Sequence, residues 1–152
     1  MTNFHNIIIT AFIVMALSTT STGVATPPPS AFDTAAVLDA IKAVETGGCA
    51  DPNAATGDNG RAIGAFQIHK CYWQDAVEYD KTIGGCYADC RNEAYARRIV
   101  VAYLSRYCRV WSVESVSRIH NGGCNILKRQ GTTAWNKTTK YWYKVENALT
   151  SR

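Results

Sequence analysis

All six cysteines of this 152-residue chain (Cys49, Cys71, Cys86, Cys90, Cys108 and Cys124) fall between positions 49 and 124, behind an N-terminal apolar run, Ile7 to Leu17. That run is eleven residues long, against the roughly 20 a membrane-spanning helix requires. Followed by small residues ending Gly23-Val24-Ala25, it has the layout of a secretory signal peptide rather than a buried first helix. An even cysteine count in a short exported chain predicts a disulfide framework, with Cys71 to Cys86 as a local pairing. Zinc is the competing use of cysteine, but only Cys86 and Cys90 are close in sequence, and His69 and His120 are the only histidines beyond the signal. That spacing does not match a structural zinc site, so no metal is expected.

The chain therefore divides into a signal peptide over 1–25, a linker over 26–32 containing Pro27-Pro28-Pro29, and one domain over 33–152. No repeat or second linker interrupts that domain, and its length excludes two full domains. Apolar residues make up 47% and charged residues 18%, which excludes a disordered chain. The formal charge is +4 and no acidic or basic residue is lost with the signal. Such a balance suits anionic surfaces such as bacterial walls, although it is also ordinary for solubility. No nucleic-acid module or stable membrane insertion is read, and monomer is the default state.

From Asp33 the pattern becomes helical. Val37, Leu38, Ile41 and Val44 share one face, Asp33 or Thr34 can cap the start, and Gly47-Gly48 ends it. Gly57-Asp58-Asn59-Gly60 ahead of Arg61 to Ile68 predicts a small hairpin closed by a tight Asn-Gly turn. Four further helices are expected: Tyr72 to Tyr79; Arg91 to Tyr107 with Ala94, Ile99, Ala102 and Tyr103 inward; Ser112 to His120 with Val113, Val116 and Ile119 inward; and one from Thr133 burying Trp135, Trp142, Val145 and Leu149. The sum is an α+β domain, several helices beside one antiparallel hairpin.

Two carboxylates stand out within it. Glu45 sits on the last turn of the first helix, where the helix dipole disfavours a second negative charge, one turn beyond the core-facing Ile41. Both features raise a carboxyl pKa, as a general acid requires, unless Lys42 folds over the group. From helix position alone, an ordinary surface glutamate is the simpler reading. Asp58 follows thirteen positions later, and by itself an Asp before Asn-Gly is most simply a turn-former. Placed on the walls of one cleft, a carboxyl pushed towards neutrality and another held ionised form a glycosidase pair.

At these residues the chain resembles the invertebrate-type lysozymes, also called destabilase-like. Four blocks carry the resemblance in order: Val44-Glu45-Thr46-Gly47-Gly48; Asp58-Asn59-Gly60 with Gly64-Ala65-Phe66-Gln67-Ile68; Tyr72-Trp73-Gln74-Asp75; and Arg118-Ile119-His120-Asn121-Gly122-Gly123. Tyr103 to Tyr107 and Tyr141-Trp142 fit as well. The resemblance implies a lysozyme-like fold and cleavage of the β-1,4 bond between N-acetylmuramic acid and N-acetylglucosamine in bacterial peptidoglycan. Action on chitin-type oligosaccharides is a possible extension, and no cofactor is called for. It assigns Glu45 as general acid and Asp58 as nucleophile or electrostatic stabiliser, the division of labour for which lysozyme is the type case. Tyr72, Trp73, His120 and Asn121 become candidates for contact with sugar, although Trp73 can equally serve the core and Asn121-Gly122-Gly123 can equally be a helix stop.

The departures also carry information. Members of the family usually hold more cysteines than six, and here none precedes Glu45 while Ile63 stands where a cysteine is common. Some members are credited with isopeptidase action through a serine near the hairpin and the histidine of the His-Asn-Gly-Gly motif. Asn59-Gly60-Arg61-Ala62-Ile63 offers no serine, so that activity is not expected. Two other readings stay open: a lytic transglycosylase using a single acid, and a non-catalytic cationic antimicrobial or wall-binding protein. Asn136-Lys137-Thr138 is a glycosylation sequon.

Overall fold

The computed structural model describes residues 32–151. The expected signal peptide and nearly all of the expected linker lie outside the described residues. Phe32 packs edge-on against Trp111, ring centroids 5.6 Å apart, anchoring the start of the domain.

Helix α1 (Thr34–Thr46) begins where the Asp33 carboxylate accepts the Ala36 N–H at 2.9 Å. Val37, Leu38, Ala40 and Ile41 are buried on one face, as the periodicity predicts. At its last residue Thr46 is buried, and its hydroxyl donates to the Ala65 carbonyl at 2.9 Å. The end of α1 is thereby tied to the sheet region.

The sheet has three very short antiparallel strands, β1 (Thr56–Gly57), β2 (Ala62–Ile63) and β3 (Ile68–His69), with β2 in the centre. Gly57 pairs with Ala62, and Ala62 pairs with His69. The single hairpin expected from the sequence is therefore two hairpins sharing β2. The Asn-Gly turn is also wider than the expected two-residue type. Asp58, Asn59 and Gly60 all have positive φ (52°, 56° and 88°), and residues 58–61 bridge the strands. Asp58 adopts the left-handed region itself and so becomes part of the turn instead of the residue before it. Between β2 and β3, Gly64 has φ 73° and lies so close to the Cys90 carbonyl that an added Cβ would fall 2.1 Å from that oxygen. Only glycine fits there.

Four more helices complete the domain: α2 (Lys70–Tyr79), α3 (Glu93–Tyr107), α4 (Val113–Gly122) and α5 (Thr133–Thr150). Asn92, Ser112 and Thr132 cap the last three with side-chain oxygens. The expected inward set of α3 needs one change, since Ala94 is exposed and Ala96 buried. In α5 the buried residues are Thr138, Tyr141 and Val145, while Trp135, Trp142 and Leu149 are half-buried. Both tryptophans instead flank the buried Arg118 guanidinium, 3.8 Å and 5.3 Å from their ring centroids. Arg118 also donates to Glu114 at 2.8 Å, to the Trp135 carbonyl at 3.1 Å and to the Thr138 hydroxyl at 3.0 Å. This hydrogen-bonded and stacked cation seals α4 to α5.

The core centres on Ile41, Phe66, Ile68, Ile99, Leu104, Ile119 and Val145. No disulfide joins the six cysteines: Cys49, Cys71 and Cys86 are exposed free thiols, Cys124 is half-buried, and Cys90 and Cys108 are buried. The expected bridged framework, including Cys71 to Cys86, is not seen, and Cys90 and Cys108 pack as small residues of the apolar core. The α+β arrangement stands without it. No described helix is long and apolar enough to cross a membrane.

Candidate active site

Glu45, Asp58, Ala62, Gln67, His69, His120 and Asn121 line one cleft of about 370 Å3. The end of α1 supplies Glu45, the three-stranded sheet supplies Asp58 to His69, and the end of α4 supplies His120 and Asn121. Two other concavities, at α3 beside the end of α2 and between Arg106 and Lys128, bring no two carboxylates together. Among the described residues no group of three or more His, Cys, Asp or Glu side chains is arranged to hold a metal ion.

The two carboxyl groups occupy unlike surroundings. The Glu45 side chain is 18% exposed, and burial raises its pKa from the ordinary value; a hydrogen bond from Tyr141 and the charge of Lys144 oppose that rise. The Tyr141 hydroxyl donates to Glu45 Oε1 at 2.7 Å. Lys42 does not fold over the group, because its ammonium lies 3.1 Å from Glu93 on α3. Asp58 is half exposed, with Oδ2 3.2 Å from the Arg61 guanidinium and 3.3 Å from His69 Nε2. The pairing of Ala62 with both Gly57 and His69 explains the second contact, since it carries His69 to the side of the sheet where the Asp58 turn begins.

His120 is the wall between the cleft and the core. Its side chain is 4% exposed, with Nε2 3.7 Å from Glu45 Oε1. Burial lowers its pKa to about 4, against the opposing effect of a hydrogen bond with the Phe66 backbone. The imidazole is therefore neutral near pH 7, and its approach to Glu45 is not an ion pair. Behind it, Tyr72 Oη lies 3.2 Å from His120 Nδ1, and the Tyr72 ring stacks on Tyr103.

Of the residues singled out in the sequence, Glu45, Asp58, His120 and Asn121 meet at the cleft. Tyr72 and Trp73 do not line it. Tyr72 is buried beneath His120, and the Trp73 indole donates to Tyr95 at 2.9 Å and packs beside the Tyr87 ring. Sequence reasoning did not assign Gln67, His69 and Tyr141 to the site. Gln67 stood in a recognised block, and its side chain runs where Gly57 leaves room, an added Cβ there falling 2.1 Å from Gln67 Oε1. Tyr141 is 96 positions from Glu45, and no local pattern links two such residues.

The sequence matches the family described as Destabilase over residues 34–148. It is similar to Lysozyme 1 of Crassostrea virginica, 36% identical over an alignment of 93 positions, which covers 58% of this chain and 45% of that protein. The chain's match thus spans less than half of that relative's length. The family match runs from the first residue of α1 into the final turns of α5, through every element that contributes to the cleft, and so the chain belongs to the Destabilase family, the invertebrate-type lysozymes.

Proposed function

We propose that the chain is an exported lysozyme that hydrolyses the β-1,4 bond between N-acetylmuramic acid and N-acetylglucosamine in peptidoglycan. The observation that carries this reading is the pair of unequal carboxyls on one cleft: Glu45 shielded and shifted towards its protonated form, Asp58 open to solvent beside a guanidinium. The protonated Glu45 gives its proton to the glycosidic oxygen as the bond from C1 to that oxygen breaks. The Asp58 carboxylate stabilises the positive charge growing at C1, or bonds to it. Glu45, now ionised, takes a proton from water as that water's oxygen bonds to C1; where Asp58 had bonded to C1, that bond breaks in the same step and its carboxylate leaves, so that both side chains return to their starting states. Gln67 and Asn121 present amides at the cleft that suit acetamido and hydroxyl groups. The apolar run at the N-terminus is what supports export.

Clearing of bacterial cell-wall suspensions tests the proposal. Glu45→Gln removes the proton donor and keeps the shape, so the rate should fall by about 100-fold or more with the circular dichroism spectrum unchanged. Retention of most of the clearing by folded Glu45→Gln protein overturns the proposal. Mass spectrometry of the products identifies a hydrolase by reducing-end sugars and a transglycosylase by anhydro sugars.

A further inference from the structure

The carboxyl of Glu45 is held unsymmetrically. Tyr141 Oη donates to Oε1 at 2.7 Å, and His120 Nε2 faces the same oxygen at 3.7 Å. Both contacts fall on Oε1, so Oε2 is the oxygen left for a ligand in the cleft. Tyr141 itself is 9% exposed, on a face of α5 that also buries Val145. A phenol in that position has little freedom to turn elsewhere, and among the described residues Glu45 is its hydrogen-bond partner.

We infer that Tyr141 is a positioning residue for the reaction: by occupying Oε1 from behind, it keeps the transferable proton of Glu45 on Oε2, facing the glycosidic oxygen. A carboxylic acid has one proton and two oxygens. If either oxygen could carry it, part of the enzyme would hold its proton against the core, where no substrate reaches. A fixed phenol donor disfavours that alternative, because the carbonyl oxygen of a carboxylic acid is a better acceptor for the Tyr141 hydrogen than its hydroxyl oxygen. The same bond sets the orientation of the carboxyl plane, and orientation at the reacting group is a large part of catalytic rate.

The bond acts on titration as well. It favours the charged form of Glu45 and so opposes the effect of burial. The groups facing Glu45 are Tyr141 and Lys144 from α5, His120 from α4 and, more distantly, Tyr72 from α2, with Asp58 and His69 also lining the cleft. Burial keeps Tyr72 protonated and His120 neutral near pH 7, so neither supplies a charge there. Loss of the phenol leaves burial opposed only by Lys144, and the Glu45 pKa rises.

This inference rests on the general-acid reading of Glu45, and the test separates the two. Tyr141→Phe keeps the ring and removes the donor. The pH dependence of kcat and of KM for cell-wall cleavage is measured on the wild type, Tyr141→Phe and Glu45→Gln, with Tm recorded for each. For Tyr141→Phe we expect kcat about tenfold lower, KM within about twofold of wild type, and the alkaline limb of the kcat profile displaced to higher pH. The limb moves upward because activity needs protonated Glu45 and the variant holds that proton more tightly. A purely structural role would lower Tm or the active fraction without moving the limb. Incorporation of 3,5-difluorotyrosine at position 141 gives a stronger donor in a nearly unchanged shape, and the limb should then move to lower pH. Folded protein whose limb moves in neither variant overturns the inference while leaving the proposed function intact. An active Glu45→Gln protein overturns the proposed function itself.

Discussion

The hydroxyl of Thr46 donates to the Ala65 carbonyl at 2.9 Å, both residues being buried. This one bond joins the turn that carries Glu45 to the loop between β2 and β3, whose neighbours Ala62, Gln67 and His69 line the opposite bank of the cleft. Thr46→Val keeps the volume but strands the Ala65 oxygen. We expect a loss of about 1–3 kcal/mol in urea unfolding together with a lower kcat, since the two banks are no longer held in register. An unchanged kcat at full stability would show that the banks are fixed by other contacts.

Gly64 makes a sharper prediction. With φ 73° and its missing Cβ pointing 2.1 Å from the Cys90 carbonyl oxygen, an alanine there meets backbone, which cannot swing aside as a side chain can. Gly64→Ala should cost more than about 3 kcal/mol, beyond a left-handed alanine alone, measured as a shift in the urea midpoint. Gly60→Ala, at φ 88° with open space around its missing Cβ, is the control and should cost about 1 kcal/mol.

Glu45 should trade stability for activity. Its folded pKa is raised above the unfolded value, chiefly by burial, so between the two values the folded state binds more protons and stability falls as pH rises through the folded value. Glu45→Gln removes that loss. The variant should therefore have a higher Tm than wild type at pH 7, and the gain should vanish at acidic pH, below the unfolded carboxyl pKa. A gain that persists unchanged into acid would contradict the raised pKa.

His120 has the opposite sign. Its folded pKa is lowered from 6.5 to about 4 by burial, so between these values the unfolded chain binds more protons. The contribution is fully present above pH 6.5 and is lost as pH falls through about 4. The full loss is about 3 kcal/mol. In His120→Phe, which cannot titrate, the stability gap to wild type should narrow from pH 7 to pH 4. A parallel pair of pH curves would refute the buried neutral imidazole.

The thiols provide a chemical test of the fold. Cys49, Cys71 and Cys86 are exposed, whereas burial pushes the Cys90 thiol up to about 12 and the Cys108 thiol up to about 11. Iodoacetamide should label the first three in native protein and Cys90 and Cys108 only after unfolding, because the thiolate is the reactive form. Failure to label any of the six in denaturant without reductant would show a bridged chain instead.

Much of this was legible along the chain, for a physical reason: helices announce themselves through local spacing and caps. Asp33, the Val37–Leu38–Ile41 face of α1, and the closure of the long helix at Tyr107 each depend on residues within a turn or two of one another. The wide Asp58–Gly60 turn was missed because Asp58 itself enters the left-handed region, which its residue type permits but does not require.

The order of acidic residues and motif blocks named the two carboxyls and the family, and it did so because those features are carried by residue type and spacing alone. Folding decided what spacing cannot encode. Tyr72 left the cleft for the core, Gln67 and His69 entered it, Lys42 turned away to Glu93, and Tyr141 crossed from the last helix to reach Glu45. Each of these outcomes depends on which faces of distant segments bury against one another. The identity of a side chain sets its intrinsic proton affinity, and burial and a hydrogen-bond partner shift that affinity and fix the direction the group faces.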